Sequence, residues 1–205
     1  MNRHVVIAGN IGIGKTSLIQ ALLNRRPDLF MVVEEPVSKW INSGFLDAFY
    51  RNKYRYSIAF QTYVLISRAN AYKQCISSRI KKPFVLFDSH FLLDRDIFVK
   101  TLVNEWTMSE KDMQLYDAFK AEISEMMPSI DIINYFFLLE GSSESRIRER
   151  GRKEEQNINP DYLRQLNNNY EMVFNNLSST IIKVKLDARL SIEELVDQVI
   201  SHLKL

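Results

Sequence analysis

Cysteine is almost missing from this chain. Cys75 is its one thiol in 205 residues. No disulfide can form within the chain, which suits a reducing compartment. No apolar run approaches the ~20 residues that cross a bilayer. A surplus of one charge is missing too. With 27 basic and 25 acidic residues the net charge is +2, so no strong field is aimed at nucleic acid or at an anionic membrane. There is no repeat, no low-complexity tract and no linker, so one domain over residues 1–205 is expected. The length is ample for a core. A first strand starts almost at the N-terminus and leaves no room for a signal or transit peptide, so a cytoplasmic location is expected. Glycine is sparse at six residues, and three of the six fall within residues 9–14.

That cluster is Gly9-Asn10-Ile11-Gly12-Ile13-Gly14-Lys15-Thr16, a complete G-x-x-x-x-G-K-[ST] loop. An apolar run at 4–8 precedes it and a helical pattern from Ser17 follows, the strand–loop–helix setting the motif needs. Its backbone N–H groups and the helix start suit a phosphate. Lys15 is placed to reach the outer phosphates. The Thr16 hydroxyl is placed to meet Mg²⁺.

Five short apolar runs read as buried parallel strands, at 4–8, 30–34, 84–88, 132–139 and 181–186, each apolar on both faces. Helical stretches at about 54–81, 109–126, 143–152, 160–177 and 191–204 separate them, with Ser109 as an N-cap. The fold expected is α/β, a five-stranded parallel sheet flanked by helices. In such sheets ligands sit at the carboxyl ends of the strands. The first three strands end at Gly9, at Glu34 and Glu35, and at Asp88.

Pro36 favours an extended Glu35, and a carboxylate beside a phosphate loop suits a general base for an attacking hydroxyl. Asp88 ends the third strand, either as an acidic partner of Mg²⁺ or as a turn cap. His90 beside it reads as structural. Arg146, Arg148, Arg150 and Arg152 form a cluster after the fourth strand. Arg146 and Arg150 share a helix face, and their planar forks suit phosphate oxygens. Trp40, Phe49, Tyr50, Phe60, Phe91 and Phe98 can line a pocket for a flat ring, or serve as core.

Taken together the chain resembles the deoxynucleoside kinase family along nearly its whole length. The resemblance rests on Gly9–Thr16, Glu35-Pro36-Val37-Ser38-Lys39-Trp40, Phe60-Gln61-Thr62-Tyr63, Ser67-Arg68, Asp94-Arg95-Asp96-Ile97-Phe98 and Arg150-Gly151-Arg152-Lys153-Glu154-Glu155-Gln156. It implies a P-loop kinase fold with an arginine-rich lid at about 143–158, and transfer of the γ-phosphoryl of ATP or another nucleoside triphosphate to a deoxynucleoside 5′-hydroxyl. By the same resemblance Glu35 is the catalytic base. Gln61 makes paired hydrogen bonds to the nucleobase, with Arg68 and Asp94 as a charged pair behind it. Tyr50 and Glu155 hold the sugar 3′-hydroxyl. Trp40, Phe60 and Phe98 are aromatic walls, and Arg146, Arg150 and Arg152 are lid arginines. Mg²⁺ is expected on Thr16 and on Asp88, directly or through water. A homodimer through helices 54–81 and 109–126 is implied as well.

One departure stands out. The family usually carries Glu-Arg-Ser or Asp-Arg-Ser after the third strand, and this chain has Asp88-Ser89-His90. Either Arg95, His90 or a lid arginine stands in for the missing arginine, or turnover is low. By the resemblance, the pair Arg68 and Asp94 accompanies use of deoxycytidine and purine deoxynucleosides rather than thymidine, and Val64, one turn after Gln61, narrows the same region toward deoxycytidine over the larger purines. Changing the pair to Met and Ala is expected to favour thymidine. Two rivals are a nucleoside monophosphate kinase and a nucleotide-binding regulatory protein of low activity. Glu35 argues against the first, because a phosphate acceptor needs no base.

Overall fold

The computed structural model describes residues 3–128 and 133–205. Five parallel strands form one sheet: β1 (Arg3–Gly9), β2 (Phe30–Val33), β3 (Phe84–Asp88), β4 (Ile133–Leu139) and β5 (Ile182–Asp187), in the order β2-β3-β1-β4-β5. The expected start of the fourth strand at residue 132 lies outside the described residues. β1 pairs with β3 on one side (Ile7↔Asp88) and with β4 on the other (Gly9↔Leu138). The strand order therefore divides at β1, and the phosphate loop leaves the sheet at that switch point, where α/β folds bind ligands.

The period of two along the central strands builds two cores. Val6, Phe87 and Phe137 face one layer of helices, while Val5, Ile7, Leu86 and Phe136 face the other. The helices are α1 (Lys15–Arg25), α2 (Val37–Asn42), α3 (Phe45–Arg51), α4 (Lys53–Ile76), α5 (Phe91–Asp94), α6 (Lys100–Asn104), α7 (Glu110–Glu125), α8 (Ser143–Arg150), α9 (Pro160–Asn176) and α10 (Ile192–Leu203). A π turn, Arg95–Val99, joins α5 to α6 without a break. α7 starts with a Ser109–Asp112 capping box, and α10 with a Ser191–Glu194 box. These reciprocal bonds satisfy otherwise open helix N–H groups.

Three expectations need correction. The long helix stops at Ile76 rather than 81, as Ser77 and Ser78 cap it and Pro83 disfavours helix at Lys82. β5 is an edge strand and is not apolar on both faces. Ile182 is 58% exposed, and Lys185 reaches out to Glu140 and Glu171. Finally, α2, α3 and the α5–α6 run occupy segments with no helix expected.

Candidate active site

The phosphate loop is shaped by glycines that do two things at once. Gly12 and Gly14 have φ of +73° and +109°, a region other residues rarely adopt. A Cβ on Gly12 would meet Ile147 Cγ1 at 2.6 Å, and one on Gly14 would meet Arg146 Nη1 at 2.7 Å. Both residues it would meet belong to α8, so the bare backbone lets the lid helix settle directly on the loop. Lys15 Nζ donates to Asn10 O at 3.0 Å. Thr16 Oγ1 donates to Asp88 Oδ2 at 2.5 Å, across 72 residues of chain.

Above the loop lies a cavity of about 730 Å³. Of the expected site residues it takes in Ile11, Gly12, Gly14, Lys15, Thr16, Glu35, Trp40, Phe49, Tyr50, Phe60, Gln61, Val64, Arg68, Asp88, Phe98, Arg146, Arg150, Arg152 and Glu155. Gly9, Asn10, Ile13 and Asp94 stand behind its wall. Asn10 Nδ2 donates to Leu163 O at 2.8 Å and Ile13 is core. Phe91, one of the candidate pocket aromatics, is core as well and stacks on His90. Ser17, Val37, Leu46, Ser89, Glu149 and Tyr162 complete the lining; of these, Val37, Leu46 and Tyr162 had no signal of a role, since apolar and aromatic residues look like core in a sequence.

The cavity has an apolar half and an ionic half. In the apolar half, Phe49 stacks on Phe60 with centroids 4.8 Å apart, and Trp40 meets Phe60 edge-on at 5.9 Å. Trp40 Nε1 donates to Ser67 Oγ at 2.8 Å, which fixes the indole. Gln61, one residue along α4, is 3% exposed and faces the same space.

In the ionic half, Arg68 joins two carboxylates. Its Nη1 donates to Asp94 and its Nη2 to Glu35. Burial pushes the Glu35 carboxyl up, but Arg68, Lys15 and Arg152 outweigh it and hold the group below its ordinary value. Asp94 is buried more deeply, and for it burial wins and the pKa is raised. Burial likewise raises Asp88, against the pull of Lys15. Asp88 Oδ1 is buried with no protein partner among the described residues. That open oxygen and the Thr16 hydroxyl fit Mg²⁺, which keeps water and substrate phosphate as its other ligands.

The lid arginines separate. Arg150 and Arg152 both donate to Glu155, Arg152 Nη1 at 2.5 Å from Oε1. Glu155 is only 4% exposed. Burial, followed by the charge of Glu155, pushes the nearby Tyr50 hydroxyl well above its ordinary pKa. Arg146 behaves differently from the expectation. It donates to Ile13 O and, at 2.9 Å, to Ala188 O. These carbonyls tie the lid helix to the loop and to the turn after β5. Arg95 does not stand in for the missing arginine. It turns away to Asp117, with Nε 3.1 Å from Oδ1 and Nη2 3.2 Å from Oδ2. His90 does not either, because its Nδ1 caps α5 by accepting from Leu92 N at 3.1 Å.

Comparisons with known proteins agree with this geometry. A family model described as deoxynucleoside kinase matches residues 5–204. The chain is 28% identical to human deoxycytidine kinase over 193 residues, covering 82% of this chain and 74% of that one. It is 29% identical over 201 residues to the thymidine kinase of ictalurid herpesvirus 1, covering 96% and 84%. A solved structure of deoxyadenosine kinase from M. mycoides with products bound superposes with a TM-score of 0.82 at 24% identity, over 98% of both chains. That likeness shows the fold, a P-loop kinase sheet.

Proposed function

The chain belongs to the deoxynucleoside kinase family, and from that premise we propose that it moves the γ-phosphoryl of ATP onto the 5′-hydroxyl of a deoxynucleoside, preferring deoxycytidine and purine deoxynucleosides to thymidine. The observation that carries this reading is Glu35, an ionised carboxylate at the junction of the phosphate loop and the aromatic cleft. Glu35 accepts the hydroxyl proton as the 5′-oxygen attacks the γ-phosphorus. The bond to the β–γ bridging oxygen breaks, and ADP leaves with that electron pair. Lys15, Arg150 and Arg152 offset the negative charge of the transferring group. For the arginines this means leaving Glu155, which with Tyr50 then holds the 3′-hydroxyl. Arg146 acts one step back, keeping the lid on the loop. Thr16 and Asp88 hold Mg²⁺, which when bound screens the phosphates.

The cleft supports a flat base between Phe60 and its aromatic neighbours, with Gln61 reading its edge through one donor and one acceptor. Arg68 and Asp94 favour bases that carry an exocyclic amino group or a ring acceptor. A partly exposed apolar stripe, Ile66 on α4 and Leu115 and Phe119 on α7, supports a homodimer through these helices.

The test is a coupled ADP-release assay with ATP and Mg²⁺ over deoxycytidine, deoxyadenosine, deoxyguanosine, thymidine and the nucleoside monophosphates. Deoxycytidine or a purine deoxynucleoside is expected to have the highest kcat/KM. Thymidine in first place would overturn the base preference, and turnover of monophosphates alone would overturn the acceptor.

A further inference from the structure

Resting on that reading, we infer that Arg68 is the positioning residue of Glu35: anchored by Asp94, its guanidinium aims the base, so nucleobase recognition and proton removal share one side chain. Arg68 sits where the two halves of the cavity meet. One Nη donates to Asp94 and the other to Glu35. Its flat face lies over Trp40, with Cζ 5.5 Å from the ring centroid, and near Phe98 at 6.0 Å. Four side chains therefore fix the fork, and the side chain is 8% exposed. A guanidinium held this way presents its remaining donors in one direction.

The groups facing Glu35 are few. Lys15 comes from the loop, Arg68 from α4, and Arg152 from the lid. Asp88 from β3 and Asp94 from α5 add negative charge, and Tyr50 from α3 and Tyr170 from α9 are buried phenols. Lys15 and Arg152 act through space and have partners elsewhere, at Asn10 and Glu155. Arg68 is the cation in hydrogen-bond contact with Glu35. The opposite wall offers no substitute. Ser89 lines the cavity with a hydroxyl engaged by Tyr170, and Arg95 and His90 are committed outside it. Arg68 thus fills the gap at Ser89.

This changes what exchanging the pair does. If Arg68 and Asp94 only read the nucleobase, Arg68→Met with Asp94→Ala should shift preference to thymidine at little cost. If Arg68 also sets the base, turnover falls on every nucleoside. Removing both charges together avoids leaving the buried Asp94 unpaired, and leaves Glu35 as the carboxylate that reports the loss of Arg68.

The experiment measures kcat and KM against pH, for deoxycytidine and thymidine, in the wild type, Arg68→Lys and the double variant. Alongside it, ¹³C NMR follows the Glu35 carboxyl titration without substrate, its signal assigned by its loss in Glu35→Gln. In the double variant kcat is expected to fall about tenfold or more on both nucleosides. The acidic limb of kcat/KM and the NMR titration should both move up by about one unit or more, as burial acts without its main counterweight and only Lys15 and Arg152 still oppose it. Arg68→Lys, which keeps a cation, should hold the titration near the wild-type position. An unmoved Glu35 titration in the double variant, with thymidine improved and kcat kept, would overturn the inference and leave Arg68 a reader of the nucleobase alone. Should the wild type phosphorylate no deoxynucleoside, the kinase reading fails, and the NMR titration still decides whether Arg68 sets Glu35.

Discussion

A general base must be ionised before substrate arrives, and Glu35 reaches that state against its own burial, through Arg68, Lys15 and Arg152. Glu35→Gln keeps size and hydrogen bonding but removes basicity. With chemistry rate-limiting, kcat should fall ~10²–10⁴-fold while KM changes little. A Gln variant with near wild-type kcat would remove Glu35 from the role. Ser89→Arg tests the family departure from the other side. Arg68 already contacts Glu35, so a second guanidinium in that wall should compete for the carboxylate and lower kcat. A higher kcat would show that the wall lacked a cation. At this scale the sequence carried much of the site. The phosphate loop is local, and Glu35, Gln61, Asp88 and Asp94 follow from spacing and resemblance. It also carried the pairing of Arg68 with Asp94. What it did not carry is the partners of the other arginine contacts, since a long side chain has several carboxylates or carbonyls within reach. Only the packed chain shows that Arg68 takes Glu35 as well, that Arg95 settles on Asp117, and that Arg146 settles on Ile13 with Ala188.

Between elements, the contact of α8 with the phosphate loop decides how tightly ATP is enclosed. Gly12→Ala puts a methyl at φ +73° and into Ile147 Cγ1 at 2.6 Å, with Ser143 O at 3.0 Å. A left-handed conformation costs about 1–2 kcal/mol, and the lid must lift as well. The KM for ATP should rise about tenfold or more, with a much smaller change for the deoxynucleoside, whose pocket walls come from α2, α3 and α4. A KM for ATP that stays put would show that the lid need not touch the loop. The long elements were legible for the same reason that they are stable. α7, α9 and α10 carry side-chain caps at Ser109, Asn159 and Ser191, and the central strands are apolar on both sides. α2 and α3 start at Pro36 and Gly44 with no side-chain cap bond, and they span only 6 and 7 residues. Their helicity comes from packing Trp40, Leu46 and Phe49 against α4, a tertiary cause with no local signature. β5 looks like a buried run in the sequence, through Ile181, Ile182, Val184 and Leu186, while its place at the sheet edge is set by topology.

Across the whole molecule, the departure after the third strand also puts a histidine, His90, where the family usually has serine, and this shapes how the fold answers to acid. His90 is 1% exposed between the rings of Phe87 and Phe91. Its Nδ1 already accepts from Leu92 N, and its Nε2 has no protein partner among the described residues. Burial first, then the charges of His4, Arg68 and Lys120, lower its pKa from 6.5 to about 3. The sign follows from proton counting. Between those values the unfolded chain binds the proton and the folded chain does not, so stability is intact above pH 6.5 and is lost as pH falls toward 3. Asp88 and Asp94, raised by burial, act the opposite way as they protonate in the folded state. Glu35, lowered, adds to the loss. The net acid response therefore mixes several groups, and a single variant isolates the histidine. His90→Asn keeps a side-chain oxygen that can cap α5 and has no proton to gain. Urea unfolding at a series of pH values should show the wild type losing stability relative to His90→Asn, by about 1.4 kcal/mol per pH unit once below 6.5. A difference between the two proteins that stays constant from pH 7 to about pH 4 would show that His90 is protonated in the folded state, and that the carboxylates alone govern the acid limit.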